Sequence, residues 1–145
     1  MAADPTTRKL SDRHEIYLAE LLGGRRTKGS GNQFADQMDG KNDRHEQAHP
    51  LAWDGKATRG KSVGVTRDMW AKAVEQSHGL TTVLALRWYS PGNALRPELD
   101  LIAIEANDFA ELLADARAYR KSLEREAEHQ SEGESIAEEY WGEFL

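Results

Sequence analysis

Cysteine is absent from all 145 residues. That excludes disulfides and Cys-ligated zinc, and it fits a reducing cytoplasm, where we expect the protein. Long apolar runs are absent too. No stretch is long enough to span a membrane, so no membrane partner is expected. Met1 to Asp12 is polar and lacks the apolar stretch of a signal peptide. Basic residues are missing from Glu126 to Leu145, which holds seven of the 25 acidic residues (Glu126, Glu128, Glu132, Glu134, Glu138, Glu139, Glu143). The net charge of −6 therefore belongs to the tail, because 18 acidic residues face 19 Lys and Arg in the rest of the chain. A near-neutral body with basic clusters at Arg25, Arg26, Lys28 and at Lys56, Arg59, Lys61, Arg67 can bind phosphate and keep carboxylates for metal. Ordinary solvated faces would have the same composition.

What is present reads as one small α/β domain with a tail. Met1 to Leu10 is expected to be a disordered lead-in. Ser11 can cap a helix to about Leu22, with Ile16, Leu18, Ala19, Leu21 and Leu22 turned inward. Gly23-Gly24 stops it. Arg25 to Asp43 reads as a loop with one or two short extended pieces. Leu51 to Thr58 reads as a strand. Thr66 is a candidate N-cap for a helix carrying Met69, Trp70, Ala73 and Val74 on one face, ended by Gly79. Thr81 to Tyr89 reads as a buried strand, Ser90 to Asn93 as a turn, and Leu99 to Ala106 as a further strand. Asp108 with Glu111 resembles a capping box. Phe109, Leu112, Leu113, Ala116, Tyr119 and Leu123 then mark a long amphipathic helix. Together these predict a small mixed central sheet flanked by helices over residues 11–128. Residues 129–145 form an acidic C-terminal tail. There Ser131 to Ser135 reads as a hinge, and Ile136, Tyr140, Trp141 and Phe144 share one side of a short helix. That side either docks on the parent domain or offers an acidic-aromatic peptide to a protein partner.

The piece with most chemistry is Trp53-Asp54-Gly55-Lys56. Residues two apart in a strand share a face, so Asp54 and Lys56 sit side by side and Trp53 faces the other layer. A carboxylate beside an ammonium suits phosphodiester hydrolysis. The carboxylate holds Mg²⁺ or Mn²⁺, which stabilises charge on the phosphate and lowers the pKa of a bound water. The lysine orients that water or takes its proton. One carboxylate is too few, and the neighbouring segments offer more: Asp36, Asp39 and Asp43 in the loop, Glu15 and Glu20 on the first helix, and the Gly55 carbonyl.

The stretches TKGSGNQFADQMDGKND, AWDGKAT, VTRDMWAKAVEQ and VLALRWY, in that order, resemble the PD-(D/E)XK nuclease core and the small Holliday-junction resolvases of archaea and phages. The resemblance covers roughly Ser11 to Tyr89. It implies a restriction-endonuclease-like fold and a metal-dependent endonuclease for branched or duplex DNA. It also implies a homodimer making paired nicks, and a host-cytoplasmic setting if the chain is phage-encoded. Its motif carries over as Asp39 for the first acid, Asp54 for the second, Lys56 for the lysine and Glu15 for the helix acid. Asp36 or Asp43 remains an alternative first acid. Ser30 with Gly31 resembles the loop that meets the DNA backbone. Arg25, Arg26, Lys28, Arg59, Lys61 and Ser62 are the further candidate phosphate contacts. The chain departs from the pattern in having Asp rather than Glu as second acid, and in placing Gly55 inside the strand, where it can mark a bulge.

A second motif competes. His45-Glu46-Gln47-Ala48-His49 matches H-E-x-x-H, the zinc-protease signature, which needs both histidines on one helical face. Pro50 biases His49 towards an extended conformation instead, and no third ligand is evident. An HNH nuclease around His14, Asn42, His45 and His49 lacks the ββα pattern. A non-catalytic DNA-binding recombination scaffold would keep the basic clusters without needing Asp54 and Lys56.

Overall fold

The computed structural model describes residues 7–27, 38–43, 48–92 and 95–142. The chain forms two units, Met1–Glu105 and Ala106–Leu145. The first contains α1 (Thr7–Leu21), β1 (Arg25–Arg26), β2 (Gly40–Asn42), β3 (Leu51–Thr58), α2 (Arg67–Gln76), β4 (Thr81–Tyr89) and β5 (Pro97–Ile104). The second is one helix, α3 (Ala106–Gly142). The boundary thus falls ahead of α3 rather than after residue 128. The expected hinge at Ser131 to Ser135 is helical, with Gly133 inside the helix.

The first unit is an α/β fold around a five-stranded mixed sheet of order β1-β2-β3-β4-β5. Neighbours are antiparallel except β3 and β4, which run parallel with α2 as the crossover. Side-chain alternation splits the core into two layers. Trp53, Val83 and Ala85 pack with Leu18 of α1 on one face, and Ala52 and Leu84 pack with Ala73 of α2 on the other. Trp53 is fully buried and does face away from the layer of Asp54 and Lys56.

Helix α1 begins inside the expected lead-in. Leu10 packs with Tyr89 and Leu95, and its carbonyl accepts from the Tyr89 hydroxyl at 3.0 Å. That tertiary anchor makes the first turn helical without Ser11 as a cap. The buried stripe is Leu10, His14 and Leu18, while Ile16 and Leu21 are exposed. Leu18, Ala19 and Leu22 of the expected stripe do pack inward, and the stripe is extended by His14 and Tyr17, which meet a buried arginine. Arg87 of β4 lies 4.3 Å from the Tyr17 ring and pairs with Asp100 of β5 at 2.6 and 3.1 Å. Helix α1 ends as predicted at Gly23, whose φ of 65° only glycine adopts readily. The Gly24 N–H reaches the Ala19 carbonyl at 3.0 Å and the Gly23 N–H reaches Glu20 at 3.4 Å, closing a Schellman cap. Helix α2 starts as predicted too, with the Thr66 hydroxyl accepting from the Met69 N–H at 3.1 Å.

Gly55 makes no bulge. Its register with Ala85 is continuous, and the only irregularity between β4 and β5 lies at Trp88/Tyr89. The glycine is needed because α1 approaches the strand here. A Cβ would lie 3.1 Å from His14 Nδ1 and 3.4 Å from Leu18 Cδ1. Gly55→Ala is expected to cost about 1–3 kcal/mol by overpacking, read as a lower urea midpoint at unchanged slope.

Candidate metal and phosphate site

Strand β2 covers β3 only over Leu51 to Trp53. Beyond that point no strand among the described residues pairs with the β2 edge of β3, and a cavity of about 510 Å³ lies there, lined by His14 and Glu15 of α1, by Asp39 and by Asp54, Gly55 and Lys56 of β3. Asp39 is placed by its neighbours. The buried Met38 side chain packs with Ala52 and Leu84, and its carbonyl accepts from the Thr27 hydroxyl. The Thr27 N–H donates to the Asp39 carbonyl at 3.0 Å. The Asp39 carboxylate then takes the free edge of β3, with Oδ2 accepting from the Gly55 N–H at 2.8 Å. In an extended strand a residue's N–H and C=O share an edge, so the Gly55 carbonyl faces this side as well.

Asp54 and Lys56 meet as their spacing predicts, with Nζ 3.4 Å from Oδ2. The Asp39 carboxyl is pushed up to about 7, first by burial, then by the Asp54 charge and a hydrogen bond to Asp54, with Glu15 adding to the push and the Gly55 N–H opposing it. Two carboxyl groups are thus held together against their repulsion, and Asp39 keeps its proton to near neutrality.

Glu15 lines the same cavity but is engaged by Arg26, whose Nη2 lies 2.7 Å from Oε2 and 3.0 Å from Asp12. Arg26, expected to contact phosphate, is therefore an internal partner of two acids, and Arg25 likewise pairs with Asp43 at 3.0 Å. Asp43 belongs to a separate cleft with Arg25 and Lys41 and does not join Asp54, which leaves Asp39 as the acid beside it. Asp36, Lys28 and Ser30 lie outside the described residues. Arg59 lines an adjoining cavity of about 190 Å³ that shares Thr7, Ser11 and Ala57 with the main one. Lys61 and Ser62 are exposed between β3 and α2, and the Lys61 carbonyl accepts from Trp88 Nε1 at 3.3 Å.

Of the H-E-x-x-H segment, His45, Glu46 and Gln47 lie outside the described residues. His49 is not helical. Its φ of 56° is left-handed, rather than the extended conformation expected before Pro50. A helical two-histidine face is therefore not formed at His49.

The sequence reading passed over His14 as a member of this site. It is 2% exposed, and its pKa is lowered to about 4 by burial first and by the Arg87 charge second, so it is neutral at pH 7. The signal available was its place four residues from both Leu10 and Leu18 on one helical stripe. Arg8, Ser11 and Asp12 also line the cavity.

Among the described residues no group of three or more His, Cys, Asp and Glu is arranged to hold a metal ion. The donors that do converge, two carboxylates and a backbone carbonyl, suit Mg²⁺, which commonly takes one or two carboxylates and keeps its waters. The chain matches no family model, no curated protein and no solved structure.

Asp39 and His14 tilt stability with pH in opposite directions. Asp39 binds its proton more tightly folded than unfolded, so its contribution falls as pH rises from 3.8 towards 7. His14 binds its proton less tightly folded, so its contribution is lost as pH falls from 6.5 towards 4. The difference between wild type and Asp39→Asn isolates the first. In EDTA, the melting temperature of Asp39→Asn relative to wild type is expected to rise from pH 5 to about pH 7 and then level off, as followed by circular dichroism.

Proposed function

We propose that the protein is a divalent-metal-dependent DNA endonuclease of the PD-(D/E)XK type that hydrolyses phosphodiester bonds in branched DNA, as a Holliday-junction resolvase does. One observation carries this reading: the half-buried Asp39–Asp54 pair, with Lys56 at 3.4 Å from Asp54, on β3 just beyond its pairing with β2. The order helix, three antiparallel strands, crossover helix and parallel strand supports it, being the order that the resemblance implies.

Asp39, Asp54 and the Gly55 carbonyl would hold Mg²⁺ or Mn²⁺, with Glu15 the next carboxylate in the cavity. When bound, such an ion supplies Lewis-acid stabilisation of the phosphate and a water of lowered pKa. The chain's own residues do the rest. Lys56 holds a positive charge where negative charge develops, and its short tether to Asp54 keeps it there. Neutral His14 and Leu18 wall the inner side of Gly55 and limit water access. Arg8 and Arg59, in the two adjoining cavities, extend positive charge along the groove for the DNA backbone.

The test compares a synthetic four-way junction with a matched linear duplex, in Mg²⁺ and in EDTA. Symmetric nicks in the junction alone, dependent on Mg²⁺, are expected. Cutting of both substrates would remove the junction preference and leave a nuclease. Binding without cutting would favour the recombination scaffold.

A further inference from the structure

Helix α3 has no buried residue. Its 37 residues span about 55 Å at the usual helical rise. Phe109, Leu112, Ala116, Tyr119 and Leu123 follow one another at steps of three and four, the spacing of a two-helix seam. The same frame continues through Glu126, Gln130, Gly133, Ala137 and Tyr140. Phe109 is 54% exposed, Tyr119 66% and Tyr140 58%, so the seam is unpartnered within its own unit.

The side chains along the seam select the partner. Laying a second copy antiparallel, with the two Glu128 residues level, puts Ala116 opposite Tyr140, Tyr119 opposite Ala137 and Leu123 opposite Gly133. Each of these layers joins a large side chain to a small one, which fills the seam evenly. Parallel pairing in register would instead stack Tyr119 on Tyr119 and Gly133 on Gly133, overfilling one layer and emptying another. Charge points the same way. Arg120 and Glu134 are the oppositely charged residues that flank the seam in this arrangement. On the same flank, Leu113 meets Trp141. Near the axis Glu126 faces Gln130, a polar layer of the kind that fixes register.

We propose that α3 pairs with α3 of a second copy, antiparallel, about a two-fold axis level with Glu128. The interface is isologous, so it closes as a dimer. It is independent of the chemistry proposed for the first unit.

The absence of cysteine makes the test clean. Full-length Ala116→Cys and Tyr140→Cys variants are oxidised separately and as an equal mixture. A covalent dimer from the mixture only is expected. Cross-linking of either variant alone would mean parallel pairing and overturn the register. No cross-link in any sample would overturn the pairing. In parallel, sedimentation equilibrium of the full chain is expected to give a dimer. Its dissociation constant should rise at least about tenfold in Leu123→Glu and stay unchanged in Glu128→Gln, on the outer side of α3, with helix content of both checked by circular dichroism. A wild-type monomer would overturn the proposal and leave α3 to another protein or to its own first unit. A dimer indifferent to Leu123→Glu would also overturn it, and would move the interface to another surface such as the free edge of β5.

Discussion

Asp54→Asn and Lys56→Ala are each expected to reduce Mg²⁺-dependent cleavage of a four-way junction by about 10²–10³-fold, the scale of losing one preorganised charge at a reacting centre. Junction binding should change little, because neither side chain is the main phosphate contact proposed along the groove. The two losses have different causes. Asparagine keeps the shape of Asp54 and removes one of two carboxylates held together in the cavity. Alanine at position 56 removes an ammonium held 3.4 Å from Asp54. The variants therefore separate in their dependence on metal. Asp54→Asn should need more Mn²⁺ to reach its residual rate, and Lys56→Ala should not. Asp54→Asn carries a further signature. The Asp54 charge is the second cause of the raised Asp39 pKa, after burial, so the Asp39 carboxyl should ionise at lower pH in this variant. Carbon-detected NMR of the Asp39 carboxyl reads that shift without any substrate.

Trp53→Ala is expected to be the most destabilising single substitution in the first unit, at about 3–5 kcal/mol by urea denaturation. Trp53 is fully buried, and its indole lies across two glycine backbones, Gly24 and Gly40. A methyl group at Gly40 would fall within the indole itself, and one at Gly24 would lie 2.6 Å from the Lys41 carbonyl as well as against the ring. Gly40→Ala alone should therefore be strongly destabilising. In the Trp53→Ala background the indole is gone, and Gly40→Ala should cost far less. That non-additivity marks direct contact. The consequence reaches the site, because Gly40 follows Asp39 directly. An indole seated on Gly40 holds the end of β2 beside the carboxylate that meets Gly55.

Much of this was legible in the sequence because it depends on local periodicity. The Asp54–Lys56 pair follows from strand alternation alone, and so does the opposite direction of Trp53. The Thr66 cap and the Gly23 stop follow from backbone chemistry. What escaped is what depends on distant residues. The first turn of α1 looked like lead-in because its anchor, Tyr89, lies 79 residues away. The inward stripe of α1 is legible at Leu18, Ala19 and Leu22, but not at His14 and Tyr17, which are polar and whose placement makes sense only once Arg87 and Asp100 are beside them. The ion pairs of Arg25 and Arg26 with Asp43, Asp12 and Glu15 are not legible in the sequence, because they need the β1–β2 hairpin to form first. Gly55 read as a weak point in a strand, and it is a close approach of a helix. Choosing Asp39 over Asp43 needed the register of β2 on β3.

The most direct test of the central claim is calorimetric titration of Mn²⁺ into the DNA-free protein at pH 8, above the raised pKa of Asp39. The account predicts a single ion per chain, lost in the Asp39→Asn/Asp54→Asn double variant and retained in Asp43→Asn. Equal binding by the double variant, or no binding by the wild type, would contradict it.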